Sequence, residues 1–135
     1  ESKEDAAKRE TVEELLLDYD DVDIIGPSDI IVTPFNIIVY PYVGIIKNYN
    51  YTYNEDEVKE VFTVPLSFFL NNEPQSHYID VQLIPGNDFP YDLIQNGKDY
   101  RWGKGKYPVY FYMYKDKIIW GITARITYDF IMHIK

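Results

Sequence analysis

The chain contains no cysteine, which excludes a disulfide framework, thiolate metal ligation and a cysteine nucleophile. That lack favours a reducing, cytoplasmic setting. The sequence also shows no apolar run near the ~18 residues of a membrane span, and no signal-peptide pattern. Cations are scarce: 13 Lys and Arg stand against 22 Asp and Glu, for a formal net charge of −9. A surface of that sign repels a phosphate backbone. Nucleic acid is therefore not expected as a partner unless metal ions intervene, and an anionic ligand calls for bridging cations.

What is present suits one small folded unit. At 135 residues and 46% apolar content, the chain is long enough for a single domain spanning residues 1–135 and leaves no room for two. Ala6, Ala7 and the run Leu15 to Leu17 predict a helix over 3–17. An acidic loop, Asp18 to Asp23, follows; it lacks the Gly and distal Glu of a calcium loop and reads as a surface turn. Two Ile-, Val- and Tyr-rich stretches between Ile24 and Ile46 flank "TPFN", the pattern of two strands joined at Pro34. "VFTVPLSFFL" predicts a short apolar helix with Pro65 in its first turn. "HYIDVQLI" alternates as a strand does, and "YPVYFYMYKDKIIWG" reads as two strands turning at Lys115 to Lys117. A closing helix is expected over 122–134, with Ile122, Ile126 and Phe130 on one face. The order predicts an α/β fold, with a mixed sheet covered by helices, because two of the turns look like hairpins.

The chemistry concentrates in "KRETVEELLLDYDD". Glu10, Glu13 and Glu14 are related by i, i+3 and i, i+4, so their carboxylates share one side of the first helix. In isolation each such pair costs roughly 0.2 to 0.5 kcal/mol. A hard divalent cation reverses the sign, because Mg²⁺ or Mn²⁺ takes carboxylate, water and phosphate oxygens. Arg9 reaches Glu13 at i+4 and can hold it in place. The plain alternative is a solvated acidic face near a helix N-terminus, where the dipole favours negative charge.

The wider spacing decides between these. Glu1, seven intervening residues, and then Arg9-Glu10-Thr11-Val12-Glu13-Glu14-Leu15-Leu16-Leu17 resemble the Nudix box, Gly-x5-Glu-x7-Arg-Glu-U-x-Glu-Glu-x-Gly-U, where U is a bulky aliphatic. Leu16 stands where that pattern has Gly, and Thr11 stands at a U position. A helix end without Gly must turn another way, and the helix is expected to run on by a few residues. Further along, "NEDEVKEVFTVPLSFFL", "HYIDVQ" and "IIWGITARI" resemble the coenzyme A diphosphatase branch of the Nudix family. The resemblance covers most of the chain.

This resemblance implies a Nudix-type α/β/α sandwich whose N-terminal strands would lie before Glu1. It implies metal-dependent hydrolysis of a nucleoside diphosphate linked to another moiety: coenzyme A would give 4'-phosphopantetheine and adenosine 3',5'-bisphosphate. By position in the box, Glu10 and Glu14 are metal ligands for Mg²⁺ or Mn²⁺, with Glu13 a third ligand or a base. Arg9 orients the cluster, and Glu1 enters a supporting shell or holds a second ion. Family members often take the general base from a loop beyond the sheet, which makes Glu57 the first candidate, with Glu55, Asp56 and Glu60 nearby. The expected partner is a small nucleotide, coenzyme A or a derivative, with no membrane and no nucleic acid and with a homodimer left open. Hydrolysis of ADP-ribose or a nucleoside triphosphate, or nucleotide binding without catalysis, are the alternatives.

Other residues are expected to carry structure. His77 and His133 are too far apart in sequence for a local metal motif, and His133 suits a helix end. Asn50-Tyr51-Thr52 is formally a glycosylation sequon with nothing else to indicate secretion. "YRWGKGKY" sets Arg101, Trp102, Lys104 and Lys106 together, either as a hairpin tip kept soluble by lysines or as a grip on an adenine or a phosphate.

Overall fold

The computed structural model describes all residues, Glu1–Lys135. Helix α1, Lys3–Leu15, begins where the Ser2 hydroxyl accepts a hydrogen bond from the Asp5 amide at 3.0 Å. That bond satisfies one of the donors every helix N-terminus leaves open, and Glu4 and Asp5 in the first turn suit the dipole. After a short 3₁₀ turn, Tyr19–Asp21, come four strands: β1 Val22–Pro27, β2 Ile31–Val32, β3 Ile38–Val39 and β4 Tyr42–Ile46. The two strands expected around "TPFN" are thus four, arranged as a hairpin within a hairpin. The inner pair β2–β3 is closed by Thr33, whose amide and hydroxyl both donate to the Ile37 carbonyl at 3.0 Å. The outer pair β1–β4 runs from Val22↔Ile46 to Pro27↔Tyr42, with its register shifting between Ile24 and Gly26.

Helix α2, Leu66–Asn71, has Pro65 as the residue before its first turn, one position earlier than expected. Strand β5, Gln75–Gln82, pairs along its whole length with β6, Lys104–Tyr114, and β7, Lys117–Trp120, pairs with the far end of β6. The hairpin expected near Lys115 is present, turning through Lys115 and Asp116 with Lys115 in the left-handed region at φ 53°. Helix α3, Gly121–Ile134, closes the chain. The α/β class read from the sequence is what the structure shows. Its strands form three separate antiparallel sheets, however, where one mixed sheet was expected. No helix is long and apolar enough to cross a membrane.

Buried residues gather in two places. Val22, Ile31, Thr33 and Pro41 lie under the nested hairpins, while Tyr112, Ala124 and Ile131 lie between β6 and α3. The deepest face of α3 therefore passes through Ala124 and Ile131, and Ile122, expected on the buried stripe, is exposed. Tyr112 is packed edge-on against Phe69, with ring centroids 5.0 Å apart. Its hydroxyl is buried without a hydrogen-bond partner.

The end of α1 departs from expectation. Leu16 does not extend the helix; it takes the left-handed conformation that glycine would take there, φ 54° and ψ 52°. Its amide, and that of Leu17 at 3.1 Å, both donate to the Val12 carbonyl, so the chain turns sharply without glycine. A side chain at that conformation costs about 1–2 kcal/mol, and Leu16 is 59% exposed, so little packing offsets it. Leu16→Gly is expected to raise stability by about 1 kcal/mol after allowing for the added freedom of the unfolded chain. Urea unfolding reads this as a higher midpoint at unchanged slope; a lower midpoint would show that Leu16 contributes packing that outweighs its strain.

Candidate functional site

Arg9 is the centre of the acidic face. Its Nε donates to Glu1 Oε2 at 2.7 Å and its Nη2 to Glu1 Oε1 at 3.1 Å, a two-pronged grip on one carboxylate. The remaining nitrogen, Nη1, donates to Glu10 Oε1 at 3.1 Å and to the Glu13 carboxylate at 3.4 Å. One guanidinium thus gathers Glu1, Glu10 and Glu13, as the i, i+4 spacing to Glu13 predicts. Hydrogen bonding from Arg9 holds the Glu1 carboxyl below its ordinary range, and Glu1 in turn pushes the guanidinium further toward its charged form. The contribution of this pair is present above the ordinary carboxylate pKa and is lost as pH falls through the lowered one.

Glu14 stands outside that network. At 3.6 residues per turn, Glu10 and Glu14 lie in one row along the helix and Arg9 and Glu13 in the neighbouring row. All three glutamates are exposed. No group of three acidic or histidine side chains is placed to hold a metal ion; the helix offers the Glu10–Glu14 row, with Glu10 and the neighbouring Glu13 both bonded to Arg9. A pair suits Mg²⁺, which binds through one or two carboxylates and fills its remaining positions with water and substrate phosphate. The donor set, carboxylate oxygens only, fits a hard divalent cation and no soft one.

The second half of the site comes from the loop that follows β4. Helices end with carbonyls that lack partners. Here the Glu14 carbonyl accepts the Asn54 amide at 2.8 Å, and the Leu15 carbonyl accepts the Thr52 hydroxyl at 2.6 Å. Asn54 then organises the next turn, its side chain accepting the Asp56 amide at 3.1 Å and its carbonyl the amides of Glu57 and Val58. Glu55, Asp56 and Glu57 are consequently tethered to the C-terminal end of the acidic helix, within three residues of the Asn54 amide that binds the Glu14 carbonyl. All three side chains are exposed. Glu60 is committed elsewhere, to Lys117 Nζ at 2.9 Å. Thr52 had no signal in the sequence beyond its sequon, because its role depends on a contact 37 positions away.

His133 Nε2 lies 2.9 Å from Asp29 Oδ1, and His77 is 3.3 Å from Gln75 and edge-on to Phe111. "YRWGKGKY" is not a hairpin tip: two 3₁₀ turns, Tyr91–Leu93 and Gly97–Asp99, precede it, and β6 begins within it at Lys104.

No family model matches the chain. Individual relatives do. A protein of Citrobacter koseri named as an uncharacterized Nudix hydrolase, NudL, is 31% identical over 130 residues, 96% of this chain and 57% of that protein. The chain is similar to Nudix hydrolases along nearly its whole length. In Arabidopsis thaliana, the chloroplastic Nudix hydrolase 22 is 31% identical over 89% of this chain and 35% of its own length. The mitochondrial Nudix hydrolase 15 is 28% identical over 89% of this chain and 38% of its own length. The chain thus spans from about a third to somewhat over half the length of these Nudix relatives. Their shared name agrees with the resemblance carried by the acidic helix.

Proposed function

We propose that this chain carries the metal-binding and catalytic part of a Nudix pyrophosphohydrolase, acting on a nucleoside diphosphate linked to another moiety in a reducing, cytoplasmic setting. The observation that carries the proposal is the joining of two acidic segments: the Asn54 loop hydrogen-bonds the end of the helix that bears Glu10, Glu13 and Glu14. An acidic face alone is a solvated helix. An acidic face with a second carboxylate-bearing turn pinned to its end can hold a cation and also handle a proton.

In this reading Glu10 and Glu14 hold Mg²⁺ or Mn²⁺, with Glu13 as a third ligand or a base. The ion, when bound, offsets the charge of the diphosphate and acidifies a neighbouring water. Arg9 fixes Glu10 and Glu13 and limits their freedom before substrate arrives, so less order is lost on binding. Glu57 accepts the proton of the attacking water. The water oxygen bonds to one phosphorus, the bridging P–O bond breaks, and its electron pair leaves on the other phosphate. With coenzyme A the products are 4'-phosphopantetheine and adenosine 3',5'-bisphosphate. This substrate is favoured by the order of "NEDEVKEVFTVPL" and "IIWGITARI", the phrases that resemble the coenzyme A diphosphatase branch.

Product analysis tests it. The full-length protein, incubated with coenzyme A and separately with ADP-ribose in Mg²⁺ or Mn²⁺, is expected to release adenosine 3',5'-bisphosphate and to stop when a chelator is added. ADP-ribose is expected to turn over far more slowly. Faster cleavage of ADP-ribose than of coenzyme A would move the assignment to another Nudix specificity. Inertness toward both would favour a nucleotide-binding role.

A further inference from the structure

The cations of this acidic protein are distributed unevenly. Arg9, Lys47, Lys117, Arg125 and Lys135 sit in ion pairs with carboxylates. Lys3, Lys8 and Lys115 lie over tyrosine rings. The remaining cations are Lys59, Lys98, Arg101, Lys104 and Lys106, and all but Lys59 fall within residues 98–106. A protein with a net charge of −9 has carboxylates available for every cation. A cluster left unpaired in such a protein is therefore available to an external anion.

The cluster has a shape as well as a charge. Lys104 and Lys106 alternate along the start of β6 and so share one face of the sheet, where they stand opposite Gln82 and Asp80. Arg101, Trp102, Lys104 and Gln82 line a cleft of about 470 Å³. A second cleft of about 240 Å³ continues along Lys104 to Lys106. Gly103 and Gly105 contribute no side chain to these clefts, and a Cβ at either would meet nothing within 4 Å. Trp102 is held edge-on by Phe89 at 5.4 Å and by Tyr100 at 4.9 Å, so its ring is fixed before any ligand arrives. Asp80 is the one carboxylate lining either cleft, and it stands at the Lys106 end, away from Trp102.

A fixed indole beside an arginine and a lysine combines a stacking surface for a base with donors for a phosphate. We infer that the cleft of Arg101, Trp102 and Lys104 is a binding site for a small purine nucleotide carrying a terminal phosphate monoester. The base stacks on Trp102, the phosphate lies between Arg101 and Lys104, and Lys106 adds field from the adjoining cleft. The site shares no residue with α1 or with the Asn54 loop. Lys104 begins β6, whereas Tyr114 and the Lys117–Glu60 pair lie at its other end, roughly 35 Å along an 11-residue strand.

Binding of AMP to the full-length protein, measured by calorimetry in excess chelator, tests this independently of hydrolysis, because no divalent ion is then available to α1. AMP is expected to bind with a Kd below about 1 mM, and adenosine and inorganic phosphate each at least tenfold more weakly, since each supplies half of the contact. Trp102→Ala and the double variant Arg101→Ala, Lys104→Ala are each expected to weaken AMP at least tenfold, Trp102→Phe less than Trp102→Ala, and Glu14→Gln not at all. Trp102→Phe and Lys104→Ala, each keeping a melting temperature near the parent's, separate loss of the site from loss of the fold. Absence of AMP binding, equal binding of inorganic phosphate, or indifference to all the cleft substitutions would overturn the assignment. So would tighter binding of single-stranded RNA than of AMP, which would mark the cluster as a polyanion surface.

Discussion

Glu14→Gln is expected to lower kcat for diphosphate hydrolysis by about 10³-fold, equivalent to about 4 kcal/mol of transition-state stabilisation. The substitution keeps the shape of the side chain and removes one of the two charges in the Glu10–Glu14 row. Glu14 is exposed, and no ion pair in the structure uses its carboxylate, so the folded state has little to lose. Stability should stay within about 0.5 kcal/mol of the parent. Glu10→Gln is expected to show a comparable loss of turnover, accompanied by a small loss of order because the 3.1 Å bond from Arg9 Nη1 then ends on a neutral amide oxygen and loses its charge assistance. Glu4→Gln, at the far end of the same helix, serves as a control and should leave turnover within about twofold. Metal-dependent kinetics of the three variants, with melting curves beside them, decide the matter. If Glu14→Gln turns over at the parental rate, the acidic row is a solvated helix face after all.

The second large effect concerns Tyr112, which is 2% exposed. Burial pushes its phenol up to about 12, and its hydroxyl has no partner. The ring and the hydroxyl therefore act in opposite directions. Tyr112→Ala removes a ring packed edge-on against Phe69 and Phe68, with centroids 5.0 Å and 6.5 Å away, and should cost about 3–5 kcal/mol. That is a large part of the ~5–15 kcal/mol by which small domains are stable. Tyr112→Phe keeps the ring and deletes only the buried, unpaired hydroxyl, so it should be neutral or stabilising by about 1 kcal/mol. Chemical denaturation of both variants gives the comparison directly. A loss of more than about 1 kcal/mol in Tyr112→Phe would reveal a hydrogen-bond partner for the hydroxyl, most simply a buried water.

These two sites differ in how far the sequence discloses them. The carboxylates of α1 were legible because their relation is local: residues three and four apart on a helix are neighbours whatever the rest of the chain does. The hold of Arg9 on Glu13 follows from the same spacing, and its grip on Glu1 joins two letters of one motif. The role of Asn54 was half legible, since an asparagine at the head of a polar loop predicts a turn but does not say which helix that turn will meet. Thr52 and Tyr112 were illegible, because their significance lies in contacts made 37 positions away and in a burial that only packing can produce. Strand existence followed from Ile, Val and Tyr content, whereas strand partition did not. Ser28 and Asp29 interrupt the first apolar stretch, and that interruption converts one expected hairpin into two nested ones. On α3, spacing pointed to the face of Ile122, Ile126 and Phe130, whereas contact with β6 buries Ala124 and Ile131 most deeply and leaves Ile122 exposed.

The order β5-β6-β7 has a further consequence. Strand β7 covers only Phe111 to Tyr114 of β6, so no strand within residues 1–135 pairs with the other flank of Lys104 to Tyr110. Open flanks of this kind invite another chain to add itself by backbone hydrogen bonding, the first step toward sheet-to-sheet aggregation. This one is poorly suited to templating. Pro108 has no N–H to offer, Gly105 weakens any added ladder, and two ammonium groups approach any incoming strand from Lys104 and Lys106. The residues that make the start of β6 hospitable to a small anion thus also keep it from recruiting a second polypeptide.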